Sequence, residues 1–326
     1  MNESLLKENA HNKEKIILEP TWSPSVITDI NEIPKGDMPG DKIKIDEQHI
    51  AKARRILPRL LELLIPILNE HPYQKAVIAV HGGSGVGKSE IGSILSYYLN
   101  SLHIGSYIIS GDNYPHRIPK YNDAERLRIF RESGLKGLVS QGEYTKERNE
   151  IVQQLQDDSY KDANPEYRKD FPWLCVYQNA GREGLKNYLG TPNEIDFTEI
   201  SSIIAQFKNN ASNILLKRMG REEKELWYDS IDFSDKQVLI IEWTHGNNQN
   251  LQGIDIPILL NSTPQETLAH RKLRNRDGAA DSAFTSMVLN IEQELLDSQA
   301  SKAKLIVTKS GDIISFDDYR KLMEKE

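Results

Sequence analysis

One stretch of the chain has the residue types and the spacing to bind a chain of phosphates. It satisfies the pattern G-x-x-x-x-G-K-[ST] with Gly82, Gly83, Ser84, Gly85, Val86, Gly87, Lys88 and Ser89. In this pattern the glycines let backbone N–H groups point inward around the phosphates, the lysine reaches the β- and γ-phosphates, and the serine hydroxyl binds Mg²⁺. The stretch therefore predicts a site for ATP and Mg²⁺.

The residues on both sides of this loop supply the context that the motif requires. Residues 76–80 form a short apolar run rich in β-branched side chains, which is typical of a strand buried on both faces. Apolar residues recur at helical spacing over residues 91–99, so the loop opens a helix whose N-terminus favours anions. The rival dinucleotide pattern G-x-G-x-x-G fails, because its third glycine falls on Lys88. A chance match in a glycine-rich turn is disfavoured by the same context.

Two acidic residues follow predicted core strands. Asp112 comes directly after the apolar run 106–110, and Glu242 follows the run 237–241. Ligands of open α/β sheets bind at the C-terminal ends of the strands, where such enzymes also hold Mg²⁺ through an acid. Either acid could instead cap a helix or form a turn. The position beside a phosphate loop favours a functional role for both.

A basic cluster follows a helix that is predicted to begin at Thr263 and Pro264, with Glu266 in the capping-box position. Its members are Arg271, Lys272, Arg274 and Arg276. They either close over the phosphates and stabilise charge in the transition state, or form a solvated face near a helix C-terminus. Taken alone, the pattern favours the solvated face.

The composition argues against several classes of protein. The net charge of −7 argues against nonspecific binding to nucleic acid or to an anionic membrane. Cys175 is the only cysteine, so a disulfide framework and an all-cysteine metal site are excluded. We find neither an export signal nor a membrane span in the sequence. These features predict a cytoplasmic protein that acts on a small molecule; they leave homo-oligomer formation open.

The chain divides into three parts. Residues 1–46 are polar and rich in proline, which predicts an extended N-terminal arm. Residues 47–326 are predicted to form an α/β domain with a mostly parallel sheet and helices on both faces. Residues 121–190 are charged and carry helical patches, which predicts a helical insertion in that domain. This insertion either caps an acceptor site or forms a surface for oligomerisation.

Four motifs occur in an order that resembles the phosphoribulokinase and uridine kinase family. They are residues 82–89, Gly-Asp-Asn-Tyr-Pro-His-Arg at 111–117, Glu-Trp-Thr-His-Gly at 242–246 and Arg-Asn-Arg-Asp at 274–277. Residues 190–197 also look like the His-Pro-Asp-x-Phe-Asp region of that family, and the similarity extends over about residues 75–307. The resemblance implies a P-loop NTPase-type fold and an ATP-dependent kinase that phosphorylates a hydroxyl of a sugar or a nucleoside.

The resemblance also implies roles for individual residues. Asp112 would be the catalytic base, Lys88 and the lid residues Arg274 and Arg276 would stabilise the transferring phosphoryl group, and Glu242 would be the acid on the Mg²⁺ side. The expected acceptor contacts are Tyr114, His116 and Arg117. This chain departs from the family at Pro115, at Trp243 in place of a glycine, and over residues 215–221.

The nature of the acceptor stays open at this level. Basic residues would suit an anionic acceptor such as a sugar phosphate, or are simply exposed; they are Arg117, Lys217, Arg218 and Arg221. Another P-loop kinase, such as an adenylylsulfate kinase, is an alternative. A non-catalytic ATP-dependent switch is a second alternative, in which Trp243 and the insertion serve a protein partner.

Overall fold

The computed structural model describes residues 24, 26–27, 29–40, 43–157, 160–262, 266–267 and 282–324. Arg274 and Arg276, together with the predicted helix start at Thr263 and Pro264, lie outside the described residues. In the described part, no helix is long and apolar enough to cross a membrane.

A mostly parallel sheet forms the centre of the molecule. The strands in chain order are β1 (Ala76–Gly82), β2 (Ser106–Ser110), β3 (Asn213–Met219), β4 (Leu226–Asp232), β5 (Val238–Glu242), β6 (Ile256–Leu260), β7 (Leu305–Val307) and β8 (Ile313–Ile314). The central sheet has the order β2-β5-β1-β6-β7-β8, and the edge strand β8 runs antiparallel to β7. All other pairs in this sheet are parallel. The predicted α/β fold is therefore confirmed.

Helices cover both faces of this sheet. They are α1 (Glu47–Glu70), α2 (Lys88–Ser101), α3 (Pro119–Ser140), α4 (Lys146–Asp157), α5 (Leu174–Lys186), α6 (Phe197–Lys208), α7 (Ala283–Gln299) and α8 (Phe316–Met323). Alternate residues of β1 point to opposite faces, so Ile78 and Val80 pack against α1 and α2 while Val77 packs against α6. This burial on both faces explains why the strands appear in the sequence as continuous apolar runs.

Strands β3 and β4 form a separate antiparallel hairpin. The sequence analysis did not predict this hairpin; it treated residues 215–221 as a departure from the family motifs. Leu215, Leu226 and Trp227 are exposed, whereas Lys217 and Arg218 are buried. The usual alternation of apolar inward and polar outward residues is thus inverted along part of the hairpin, which hid the strands.

The predicted helical insertion contains α3, α4 and α5, which share a core of their own around Phe130 and Tyr177. Phe284 and Ile291 of α7 complete this core. Helices α3 and α5 approach very closely at four glycines, where an added Cβ atom would overlap the facing helix: Gly134, Gly137, Gly181 and Gly184. The two helices therefore meet almost main chain to main chain.

Exchanging the small residues of this contact tests it. A Cβ atom on Gly137 would overlap the Cβ of Ala180, so we expect Gly137→Ala to lower the free energy of unfolding by about 1–3 kcal/mol. Ala180→Gly removes the opposing atom, and the double variant should be about as stable as Ala180→Gly alone. Thermal unfolding of the three variants measures this. Simply additive losses would contradict the close contact.

Candidate active site

The phosphate loop connects β1 to α2 at the C-terminal edge of the sheet. Gly82 has no room for a side chain, because a Cβ atom would lie 2.5 Å from the carbonyl oxygen of Leu260. Gly87 has a φ of 93° and precedes the first residue of α2 without providing a side-chain cap. The N–H groups at this helix end are therefore left for an anion. The ammonium of Lys88 donates to the carbonyl oxygen of Gly83 at 3.0 Å, which holds it over the loop.

Glu242 links this loop to the neighbouring strand. Strand β5 lies between β1 and β2, and its last residue, Glu242, is in register with Val80 and Ser110. The Ser89 hydroxyl donates to Oε2 of Glu242 at 3.0 Å. Burial and the nearby carboxylate of Asp112 raise the pKa of Glu242 to about 7. A buried carboxylate beside a second one is a place that a cation would stabilise.

The arrangement fits a Mg²⁺ ion that is held jointly with a nucleotide. Ser89 and Glu242 supply the hard oxygen ligands that Mg²⁺ prefers. Among the described residues there is no group of three or more His, Cys, Asp or Glu side chains that could hold a metal by itself. This agrees with the habit of Mg²⁺ to take one or two protein ligands and complete its shell with phosphate oxygens and water.

Asp112 lies in a short turn, Gly111–Asn113, that follows β2 directly. Its side chain is exposed, while its two neighbours in the turn are buried. A Cβ atom on Gly111 would overlap the indole ring of Trp243. Trp243 is itself buried against Phe197, with 5.5 Å between the ring centroids. The tryptophan that replaces the family's glycine therefore supports the turn that carries Asp112.

The other residues of the acceptor motif lie at different depths. Tyr114 is fully buried in the core below the sheet edge, and its hydroxyl has no hydrogen-bond partner among the described residues. His116 is exposed and hydrogen-bonds the carbonyl oxygen of Pro192 at 2.9 Å. Arg117 donates to the hydroxyl of Tyr188 at 3.0 Å. The motif thus joins the end of β2 to the region around residues 188–195, and of the three expected acceptor contacts only His116 and Arg117 have exposed surface.

Arg218 has different neighbours from those expected of an acceptor contact. It is buried on β3, and its guanidinium donates to Asp37 at 2.7 Å, to Asp229 at 3.0 Å and to the hydroxyl of Tyr107 at 3.0 Å. These partners neutralise its charge and occupy its donors. The expected role in binding an anionic acceptor is therefore not supported for Arg218.

Sequence reasoning missed a buried polar network beside the acceptor motif. Glu194 accepts hydrogen bonds from Arg126 at 2.7 Å, from Asn122 at 3.0 Å and from the backbone N–H of Gly190 at 2.7 Å. Burial alone would raise the pKa of Glu194, but the charge of Arg126 and the hydrogen bonds from Gly190 and Arg126 hold it below the usual value. Glu194 lies in the region 190–197 that resembles the family, which was the available signal; Arg126 had none.

Two buried histidines were also missed. His81 is the second-to-last residue of β1 and is fully buried. Neither of its ring nitrogens has a hydrogen-bond partner among the described residues. Burial and the charge of Lys88 lower its pKa to about 3. His245 packs against the ring of Trp243 at 5.3 Å, and burial lowers its pKa to about 4. Both side chains are therefore neutral at physiological pH.

A cavity of about 1020 Å³ adjoins the outer side of the phosphate loop. Its walls come from the loop itself, from the start of α1, from the hairpin and from the ends of β6 and β7; they include Gly85, Val86, Gly87, His49, Lys52, Arg221, Trp227, Ser262 and Lys309. The Nε2 atom of His49 lies 3.1 Å from the position of a Cβ atom on Gly87. The cavity has room for the nucleoside part of a nucleotide whose phosphates occupy the loop.

Comparison with known proteins adds one similar sequence. Over 255 residues the chain is 36% identical to the bifunctional alpha-galactosidase/sucrose kinase AgaSK of Mediterraneibacter gnavus. The match covers 78% of this chain and 22% of that protein, so the chain spans about a fifth of the length of this relative. No protein-family model matches the chain.

Several solved structures have a limited likeness to this one. A protein assigned as a fructose transport system kinase from Silicibacter sp. TM1040 gives a TM-score of 0.44 at 13% identity, with 77% of this chain and 95% of that chain covered. A possible uridine kinase from Bacillus stearothermophilus gives 0.37 at 13% identity, with 71% and 88% covered. The protein YGR205w gives 0.42 at 12% identity, with 80% and 96% covered.

The fold itself agrees with the resemblance drawn from the motifs. The phosphate loop lies between the central strand β1 and α2, and Asp112 and Glu242 follow or end the two strands on one side of it. The relative AgaSK carries a sucrose kinase in its name. This chain has the P-loop NTPase-type fold that the motifs predicted.

The contact between Gly111 and Trp243 makes a testable prediction. In Gly111→Ala the new Cβ atom collides with the indole, so the turn must shift, and we expect turnover to fall at least tenfold because misplacement of a reacting group slows the reaction steeply. Gly92→Ala is the matched control, because its Cβ atom would lie at an ordinary 3.7 Å from the Cβ of Glu242. Steady-state kinetics of both variants test this. Equal effects would show that the indole does not set the turn.

The raised pKa of Glu242 predicts a pH-dependent stability. Its pKa of about 7 in the folded chain exceeds the ordinary value of 4.5, so the stability linked to its protonation is complete below pH 4.5 and is lost as the pH rises through 7. Without nucleotide and Mg²⁺, Glu242→Gln should therefore melt a few degrees above the unmodified chain at pH 8 and close to it at pH 5. Melting curves at the two pH values measure this. An equal difference in melting temperature at the two pH values would mean that ionisation of Glu242 does not destabilise the fold.

Proposed function

We propose that this chain is an ATP-dependent kinase that phosphorylates a hydroxyl group of an uncharged sugar, with sucrose as the first acceptor to test. The observation that carries the proposal is the placement of two acids beside one phosphate loop. Glu242 bonds to Ser89 of the loop, and Asp112 is close enough to Glu242 to raise its pKa. A nucleotide switch needs the loop and one acid; the second acid, exposed at the strand end, suits an attacking hydroxyl.

The nucleotide would occupy the phosphate loop and the cavity beside it. Backbone N–H groups of the loop and Lys88 would bind the phosphates, and the nucleoside would extend toward His49 and Trp227. Ser89 and Glu242 would hold Mg²⁺, which in such enzymes neutralises charge on the β- and γ-phosphate oxygens.

The side chains of this chain would act by position and charge. Asp112 would accept the proton of the acceptor hydroxyl as its oxygen attacks the γ-phosphorus. Lys88 would move from the carbonyl of Gly83 to the transferring phosphoryl group and stabilise the charge that develops there. Arg274 and Arg276 would close over the phosphates, as the family resemblance implies.

The charge balance around the acceptor motif favours a neutral acceptor. Among the described residues, four cationic side chains around the motif have a carboxylate partner: Arg117 pairs with Glu125, Arg126 with Glu194, Lys217 with Glu199, and Arg218 with Asp37. A sugar phosphate or adenylylsulfate would need cations without such partners. The sucrose kinase in the name of the relative points the same way.

The insertion would serve as the cap of the acceptor site. Its first helix, α3, begins two residues after Arg117, and Arg126 of this helix reaches back to Glu194. Closing such a cap would exclude water and limit wasteful hydrolysis of ATP. A surface for homo-oligomers remains the alternative role.

Turnover with defined acceptors tests the function. Incubation with ATP and Mg²⁺, followed by mass spectrometry, should detect the gain of one phosphoryl group on sucrose or another neutral sugar. Uridine, a sugar phosphate and adenylylsulfate serve as competing acceptors in parallel reactions. Phosphorylation of an anionic acceptor alone would contradict the charge argument, and ATP binding without any acceptor turnover would favour the switch.

Asp112→Asn separates the mechanism from the alternatives. Asparagine has nearly the same shape but cannot take the proton, so acceptor-dependent kcat should fall by about 10²–10⁴-fold while the KM for ATP stays within a few-fold. Lys88→Ala serves as the comparison, because it should abolish transfer through loss of a charge beside the phosphates. Collapse of ATP affinity in Asp112→Asn would make Asp112 a residue of the metal side. An unchanged kcat would leave the reaction without its base.

A further inference from the structure

A residue of the N-terminal segment lies buried at the edge of the candidate active site. The carboxylate of Asp37 accepts a hydrogen bond from the backbone N–H of Ser110 at 2.7 Å and from Nδ2 of Asn113 at 3.1 Å. It also pairs with Arg218 at 2.7 Å, and both side chains of this pair are only 6% exposed. The motifs gave the N-terminal arm no role, yet one of its side chains contacts β2 and β3 together.

Two of these hydrogen bonds flank Asp112 in the sequence. Ser110 is the last residue of β2, and Asn113 is the last residue of the turn. The Oδ1 atom of Asn113 in turn accepts from the backbone N–H of Met219 at 3.0 Å, so this amide is fixed on both sides. Asp37 thus holds the main chain two residues before Asp112 and the side chain of the residue directly after it, on both sides of the residue that would act as base.

The third partner connects the same carboxylate to the hairpin. Arg218 lies on β3 and also bonds to Asp229 of β4 and to Tyr107 of β2. One buried charge therefore ties together the N-terminal segment, the end of β2 and both strands of the hairpin. These elements surround the turn that carries Asp112.

Stability alone is a poor explanation for this carboxylate. Burial raises the pKa of Asp37 to about 6 even though Arg218 and the N–H of Ser110 lower it. A buried ion pair often stabilises a fold no better than apolar residues of similar size, whereas its geometry is strict. What distinguishes the carboxylate of Asp37 is that it accepts hydrogen bonds from residues on both sides of the turn residue Asp112.

We propose that Asp37 is a positioning residue, which fixes the turn Gly111–Asn113 and thereby sets the place of Asp112 toward the acceptor hydroxyl. This proposal rests on the proposed function. Asp37 does not touch the reacting atoms; it acts through the main chain of the turn. A displacement of the base by about 1 Å is enough to slow a reaction by about 10²-fold.

Asp37→Asn tests the proposal in the full chain. The variant keeps the shape of the side chain but removes its charge. Its amide group also places N–H donors among the donors of Ser110, Asn113 and Arg218 that the carboxylate accepts. We expect kcat with the best sugar acceptor to fall about 10–100-fold, with the KM for ATP within twofold. Asp29→Asn is the matched control, because Asp29 caps the short helix Ile30–Glu32 in the same segment and is exposed. A fall in kcat no larger than in this control would overturn the proposal.

Hydrogen exchange supplies a readout that does not depend on turnover. In Asp37→Asn, deuterium uptake over residues 108–118 should rise, while uptake over the phosphate-loop helix stays unchanged. If the unmodified chain phosphorylates no acceptor, the proposed function fails, and exchange over residues 108–118 still decides the positioning role. A fall in kcat without a change of exchange there would overturn the role in the turn.

A second variant covers the case in which Asp37→Asn does not fold. Asn113→Ala removes the link from the turn to both Asp37 and Met219, and it leaves the pair of Asp37 with Arg218 in place. The same loss of kcat at an unchanged KM for ATP is expected. Unimpaired kcat in this variant would overturn the proposal.

Discussion

The hydrogen bond from Ser89 to Glu242 joins the phosphate loop to the neighbouring strand, and the geometry of the site depends on it. It is possible because β5 runs parallel between β1 and β2, so three strands end at one edge of the sheet. Along this edge the phosphate loop after β1, the buried Glu242 at the end of β5 and the exposed Asp112 after β2 lie side by side. The sheet sets the spacing of the two acids, and burial together with their mutual repulsion makes the ionised form of Glu242 unfavourable until a cation is bound.

The sequence predicted those parts of the fold whose structure follows from residues that are close together in the chain. The strands Ser106–Ser110, Ile256–Leu260 and Leu305–Val307 are buried along most of their length, so their apolar runs define their bounds closely. The spacing of Gly82, Gly87, Lys88 and Ser89 between an apolar run and a helical pattern defines the phosphate loop. Helix α5 and the hairpin were harder, because their buried residues include polar and charged side chains.

The parts that it could not reach depend on partners far apart in the chain. In the sequence, Arg218 was one of the basic residues that would suit an anionic acceptor, because the sequence does not show that Asp37 and Asp229 pair with it. Its partner Asp37 lies 181 positions away, in a segment whose composition suggested only an extended arm. Glu194 and Arg126 are separated by 68 positions in the same way. Charge pairing across such distances has no signature in a single sequence, which is why an anionic acceptor seemed plausible before the fold was known.

The close contact between α3 and α5 has a consequence for how the insertion can move. The glycines bring the two main chains so close that neither helix can slide or tilt against the other without overlap. We therefore expect α3 and α5 to move as one rigid unit. The insertion continues into the rest of the chain at two stems, near residues 117–119 and 187–191. Gly190, whose φ is 65°, lies in the second stem, and Arg117 and Tyr188 bridge the two at 3.0 Å. If the insertion acts as the proposed cap, its movement would therefore be transmitted through this hydrogen bond to the segment that follows the turn carrying Asp112.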